Sequence, residues 1–156
     1  MMNIEHTILY SYYAAAFISL RFIPRDKWRE ASVIFLSQQF VTWFFGLLVV
    51  ELHLIEYPVR ELAEVNKTSF LFEFLAFPII TIFFCIYFPQ AAVAWKKVLY
   101  TSAFCTGLTI FEVVFVKYTL LISYIRWDWY VTWVSVYAAL SLSYFFYKWY
   151  FKIKAE

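Results

Sequence analysis

Long stretches without a single Asp, Glu, Lys or Arg alternate with short stretches crowded with them. The charge-free runs are His6–Leu20, Ala31–Val50, Phe74–Trp95, Val98–Phe111 and Trp129–Tyr147. About 20 predominantly apolar residues carry a helix across the hydrocarbon core of a bilayer, and the second, third and fifth runs reach that length outright. The first reaches it at Pro24 if Arg21 snorkels toward the headgroups, and the fourth at Tyr118 if Glu112 is accepted inside the membrane. The pattern therefore predicts five helical spans: Thr7–Pro24, Ala31–Glu51, Thr68–Pro89, Val98–Tyr118 and Trp129–Phe151. Barrel strands would need only about 9–11 residues of alternating character, which these continuous runs do not show. Pro24 and Pro89 close spans one and three, and the Asn66-Lys67-Thr68-Ser69 cluster supplies oxygens to cap the start of the third.

Composition removes the alternatives. Hydrophobic residues make up 64% of the 156-residue chain, aromatic ones 25% and charged ones 15%. A soluble domain of this size could not bury so much apolar side chain, and disorder needs the opposite balance. The expected fold is all-α, one polytopic membrane domain over residues 1–156, without internal repeat or linker. In the outer loop 52–67, Val59, Leu62, Ala63 and Val65 share one helical face, which predicts a short helix on the membrane surface.

Charge sets the expected orientation. Arg21, Arg25, Lys27, Arg29, Lys96, Lys97, Lys148, Lys152 and Lys154 fall on one side, and Arg60, Lys67, Lys117 and Arg126 on the other. Basic residues favour the cytoplasm, so the N-terminus is expected outside and the C-terminus inside. With Asp26, Glu30 and Glu156 on the inner side, the two halves carry +6 and −4. A basic inner rim suits anionic lipid and gives no reason to invoke nucleic acid.

An ionisable side chain inside a membrane helix costs on the order of 3 kcal/mol, so it must face protein or water. Glu73 and Glu112 qualify, and in antiparallel spans both fall roughly 8–9 Å below the outer surface at 1.5 Å per residue. Thr81 and Cys85 share the face of Glu73; Cys105 and Thr109 share that of Glu112. Pro78 withdraws a donor from the carbonyl of Phe74 and predicts a kink beside Glu73. Span two offers Gln39, Thr42 and Gly46 and, at its outer end, Glu51 and His53, with Lys117, Arg126 and Arg60 as nearby cations. One reading is an outward-facing acidic site, Glu73 and Glu112 supported by Thr81, Thr109, Lys117, Glu51, His53 and Arg126, that takes a proton, a cation or a polar ligand. The other is that each carboxylate pairs with a cation or hydroxyl merely to hold helices together. A metal on Glu51, His53, Glu73 and Glu112 is disfavoured by the single imidazole. Neither a phosphate loop nor a nucleophile elbow is present. Ser11-Ala15-Ser19 and Ser135-Ala139-Ser143 read as close-packing helix faces. Trp28, Trp95, Trp127, Trp129 and Trp149 read as interface anchors, and Cys85 and Cys105 as buried free thiols.

Glu56-Tyr57-Pro58-Val59-Arg60, Asn66-x-Thr68-Ser69-Phe70-x-Phe72-Glu73, Tyr87-Phe88-Pro89, Glu112, Lys117-Tyr118-Thr119 and Tyr124-x-x-Trp127-x-Trp129-Tyr130-x-Thr132-Trp133 together resemble a small, uncharacterised multi-span membrane-protein family of endospore-forming bacteria. The resemblance covers the chain from about Trp28 onward and implies a multi-pass protein of the bacterial cytoplasmic membrane, with no catalytic residue to transfer. The expected function is a small binding or transport module. The alternatives are a structural or accessory subunit of a membrane complex and, third, a membrane-embedded enzyme. No cofactor is expected. The expected partners are the lipid bilayer and a second copy or another membrane protein.

Overall fold

A computed structural model describes residues 4–153, so Lys154 and Glu156, counted above on the inner side, lie outside the described residues. The chain is mostly helical. Five long helical segments follow one another: α1 (Ile4–Ser19), α2 (Trp28–Glu51), a π-helical stretch (Leu71–Ala76) running directly into α3 (Phe77–Ile86), α4 (Ala94–Tyr118) and α5 (Trp129–Tyr150). The helix extending through Arg25–Glu51 and that over Ala94–Tyr118 are long and apolar enough to cross a membrane; Leu71–Ile86 is apolar but shorter. Large apolar side chains such as Phe17, Leu36, Phe40, Phe44, Ile110 and Phe145 stand exposed on the outer faces of the helices.

The helix ends follow from local chemistry. Two short 3₁₀ turns, Leu20–Phe22 and Arg25–Lys27, flank Ile23-Pro24 between α1 and α2. α2 stops because His53 turns left-handed, at φ 53°. The amide of Leu54 then reaches the carbonyl of Val49 at 3.1 Å and that of His53 reaches Val50 at 3.0 Å, a Schellman closure. Lys152, at φ 51°, closes α5 in the same way, with Ile153 bonded to Lys148 and Lys152 to Trp149.

The predicted surface helix in the outer loop does not form. Leu62 is left-handed, at φ 54°, which interrupts a helix, and residues 61–65 make turns with Leu62 and Val65 exposed. Arg60 holds this loop by donating to the carbonyls of Tyr57 (2.7 Å), Asn66 (2.8 Å) and Ala63 (3.3 Å). A two-residue strand, β1 (Ile55–Glu56), pairs antiparallel with β2 (Ser123–Tyr124), Ile55 opposite Tyr124 and Glu56 opposite Ser123. The two loops at this end are thereby tied together.

Packing differs from the expected neighbour relation in one respect. A short link between spans three and four predicts an antiparallel pair, yet α3 packs chiefly on α2, and α4 on α5. α3 and α4 meet side chain to side chain through Phe84, Tyr100 and Phe104, near the link. Two buried clusters result. One, around Ile34, Ile82, Phe84, Cys85, Cys105 and Leu140, fills the half holding the α3–α4 link. The other, around Leu9, Ile55, Tyr57, Leu71, Phe115 and Leu121, sits under the paired loops. Cys85 and Cys105 are both buried and free. Between α2 and α5, Ser143 donates to Gln38 and Tyr147 to Glu30, whose carboxylate also pairs with Lys27 at 2.7 Å.

Candidate functional site

The site grows out of a break in one helix. Glu73 lies in the π-helical stretch, where the amide of Phe77 bonds back five residues to the carbonyl of Phe72. That choice leaves the Glu73 carbonyl without Phe77, and Pro78 has no N–H to offer either Glu73 or Phe74. Both orphaned carbonyls are satisfied from α2: Thr42 Oγ1 donates to Glu73 at 2.7 Å and Gln39 Nε2 to Phe74 at 3.0 Å. Thr42 also lies within reach of the carbonyls of Gln38 and Gln39, at 3.0 and 3.4 Å, but its single proton is best placed for Glu73. The expected break at Pro78 is therefore real, and it is a widened turn that aims the Glu73 side chain at α2. There Gly46 makes room: a Cβ on it would lie 2.8 Å from Cδ and Oε1 of Glu73.

Each carboxylate takes its hydrogen bonds from neutral groups. Tyr57, on the β1 loop, donates its hydroxyl to Glu73 Oε1 at 3.2 Å. Glu112 Oε1 accepts from Tyr124 at 2.6 Å and from Thr132 at 2.7 Å, and Thr132 in turn accepts from Trp127 Nε1 at 2.7 Å. The β1–β2 pairing places both tyrosines together at the loop end of the bundle. Burial first, and then the charges of Glu73 and Glu112, hold the Tyr57 hydroxyl well above its ordinary range. It stays protonated and remains a donor. Burial and the bond to Glu112 raise Tyr124 in the same direction.

Both glutamates line one cavity of about 900 Å³, to which all five helices contribute. Its walls are chiefly apolar and aromatic, and among the described residues no Lys, Arg or His lines it. The supporting residues expected from sequence lie elsewhere. Glu51 and His53 are exposed; Glu51 pairs with Lys67 at 2.9 Å, and His53 closes α2. Lys117 and Arg126 are exposed, with Lys117 over the Tyr118 ring, so neither compensates a buried carboxylate. Among the described residues the ion pairs are Lys27–Glu30 and Lys67–Glu51. Thr81 is buried and bonded to its own helix at Phe77, and the buried Thr109 hydroxyl has no partner. Among the described residues no three His, Cys, Asp or Glu side chains gather as a metal site would require.

The residues that complete the site, Tyr57, Tyr124, Thr132 and Trp127, sit in or beside loops, and none of them is charged. Trp127, read as an interface anchor, is a cavity-lining donor, and Ser135 and Ala139, read as packing residues, also line the cavity. Ser11 and Ala15, by contrast, are exposed. Compared with protein-family models, curated proteins and solved structures, the chain matches none.

Proposed function

We propose that the chain is a five-span bundle of the bacterial cytoplasmic membrane, N-terminus outside and C-terminus inside, acting as a small binding or transport module. Its outward-facing acidic site comprises Glu73 and Glu112. One observation carries this reading: two carboxylates face the same largely apolar cavity, and every group bonded to them is neutral. Two such charges in a poorly solvating space are not both tolerated without compensation. The compensation comes from a proton or a bound cation. The exposed apolar faces of the helices support lipid as the surrounding solvent. A second reading, a structural subunit, draws on the Tyr124–Glu112–Thr132–Trp127 network, which by itself would fasten the β2 loop to α4 and α5.

Glu73→Gln and Glu112→Gln separate the two. Gln keeps shape and acceptor and leaves no cation stranded, so thermal stability in detergent is expected to hold or rise, with a flattened pH dependence. A clear loss of stability in both variants with an unchanged pH profile would favour fastening alone.

A further inference from the structure

Three features of the cavity constrain what compensates the carboxylates. The first is size. A proton or an inorganic ion needs a few ligands, whereas about 900 Å³ lies at the upper end of the range of about 300–1,000 Å³ that houses drug-sized molecules. The second is the wall. Phe45, Phe72, Phe104, Phe111, Phe115 and Trp127 line it, offering π faces that attract cations, most strongly where water is scarce. With so few polar groups, the wall cannot satisfy a sugar or a peptide, whose unpaired donors and acceptors would each carry a desolvation cost.

The third feature is access. Phe45, Phe111 and Leu142, in the middle stretches of three helices, line the cavity while keeping 52%, 60% and 52% of their surface exposed. The cavity thus opens through the side of the bundle, where a membrane-spanning protein meets hydrocarbon. Gly107 supports the picture of a space kept free. It lines the cavity on α4, a Cβ on it would touch nothing within 4 Å, and its φ is not positive. Neither packing nor backbone geometry explains a glycine at a position where it weakens the helix.

From charge, aromatic wall, volume and lateral mouth together, we infer that the site binds a lipophilic organic cation: an apolar, ring-bearing body with one delocalised or shielded positive charge, entering from the bilayer. The body occupies the aromatic chamber and the charge lies toward Glu73 and Glu112. This inference rests on the acidic-site reading above and names its ligand class.

The test is equilibrium binding of radiolabelled tetraphenylphosphonium to the purified protein. Saturable binding is expected, displaced by other ring-bearing cations but not by neutral triphenylphosphine oxide or by tetramethylammonium, which lack the charge and the body respectively. Glu73→Gln and Glu112→Gln should each weaken it by about tenfold or more, the loss that about 1.4 kcal/mol corresponds to. Gly107→Phe should abolish it by filling the chamber without touching either glutamate. Displacement by the neutral oxide as effective as by cations, or binding untouched by all three substitutions, would overturn the inference. If tetraphenylphosphonium does not bind while the glutamine variants still flatten the pH profile, the ligand class is wrong and the acidic site stands. If the pH profile is also unchanged, the acidic site falls with it.

Discussion

A Cβ on Gly46 would come within 3.1 Å of three atoms of the Glu73 carboxyl group, so the glycine is the space in which that group sits. In Gly46→Ala the carboxyl, being the end of a flexible side chain, would move and the helices would stay. Stability measured by thermal unfolding should therefore change little, while its pH profile should shift without flattening, because the displaced carboxyl still titrates, whereas Glu73→Gln removes it. Gly107→Ala is the matched control: with open space around the new methyl, the variant should gain roughly 0.5–1 kcal/mol from better helix propensity. The roof tyrosines give a pH prediction. Tyr57 and Tyr124 are held protonated in the fold above the ordinary 10.0, so their contribution is complete below pH 10 and is lost as pH rises toward their raised values. The unfolding free energy should fall above pH 10, by up to about 1.4 kcal/mol per pH unit for the buried Tyr57 and by less for the half-exposed Tyr124, where solvent screens the effect. Tyr57→Phe should make that decline shallower.

At the level of elements, the widened turn before α3 positions the site. Pro78→Ala would return an N–H to the Glu73–Phe74 region and allow the stretch to wind as an ordinary α-helix. Removing the extra residue from the turn rotates what precedes it by about 100° at 3.6 residues per turn, carrying Glu73 away from Tyr57 and Gly46. The variant should keep its helix content by circular dichroism and lose ligand-dependent stabilisation. Thr42→Val instead strands the Glu73 carbonyl and should cost about 1–3 kcal/mol in thermal or denaturant unfolding. Much of this architecture was readable beforehand. The predicted spans lie within a few residues of the helices, Ala31–Glu51 against Trp28–Glu51 and Val98–Tyr118 against Ala94–Tyr118, because a long, nearly charge-free run is what an apolar helix requires. Pro78 announced the break and the freed Phe74 carbonyl. The β1–β2 pair could not be foreseen, since its two-residue strands exist only through pairing between loops about 70 positions apart. His53 looked like a candidate ligand because an imidazole beside a carboxylate suggests chemistry; its left-handed backbone serves the end of α2 instead.

For the whole molecule, one cavity between two packed clusters joins residues from every helix. Glu73 and Glu112 were legible because ionisable groups are conspicuous in apolar runs. Tyr57, Tyr124 and Thr132 were not, because neutral hydroxyls give no such contrast and reach the carboxylates only through the folded loops. The proposed topology is checked by single cysteines at Glu64 and Lys152 in a background lacking Cys85 and Cys105. Membrane-impermeant maleimide applied to intact cells should label the first and spare the second; labelling of both would exclude the five-span arrangement. The carbonyls that Thr42 and Gln39 satisfy also bear on biogenesis. In the proposed bilayer-spanning arrangement, the segment holding α3, alone in lipid, would leave at least the Phe74 carbonyl unbonded, at a cost of several kcal/mol. α2 emerges from the ribosome first and already carries both donors. The two segments should therefore leave the translocation machinery as a hairpin, with α2 acting as an intramolecular chaperone for its successor.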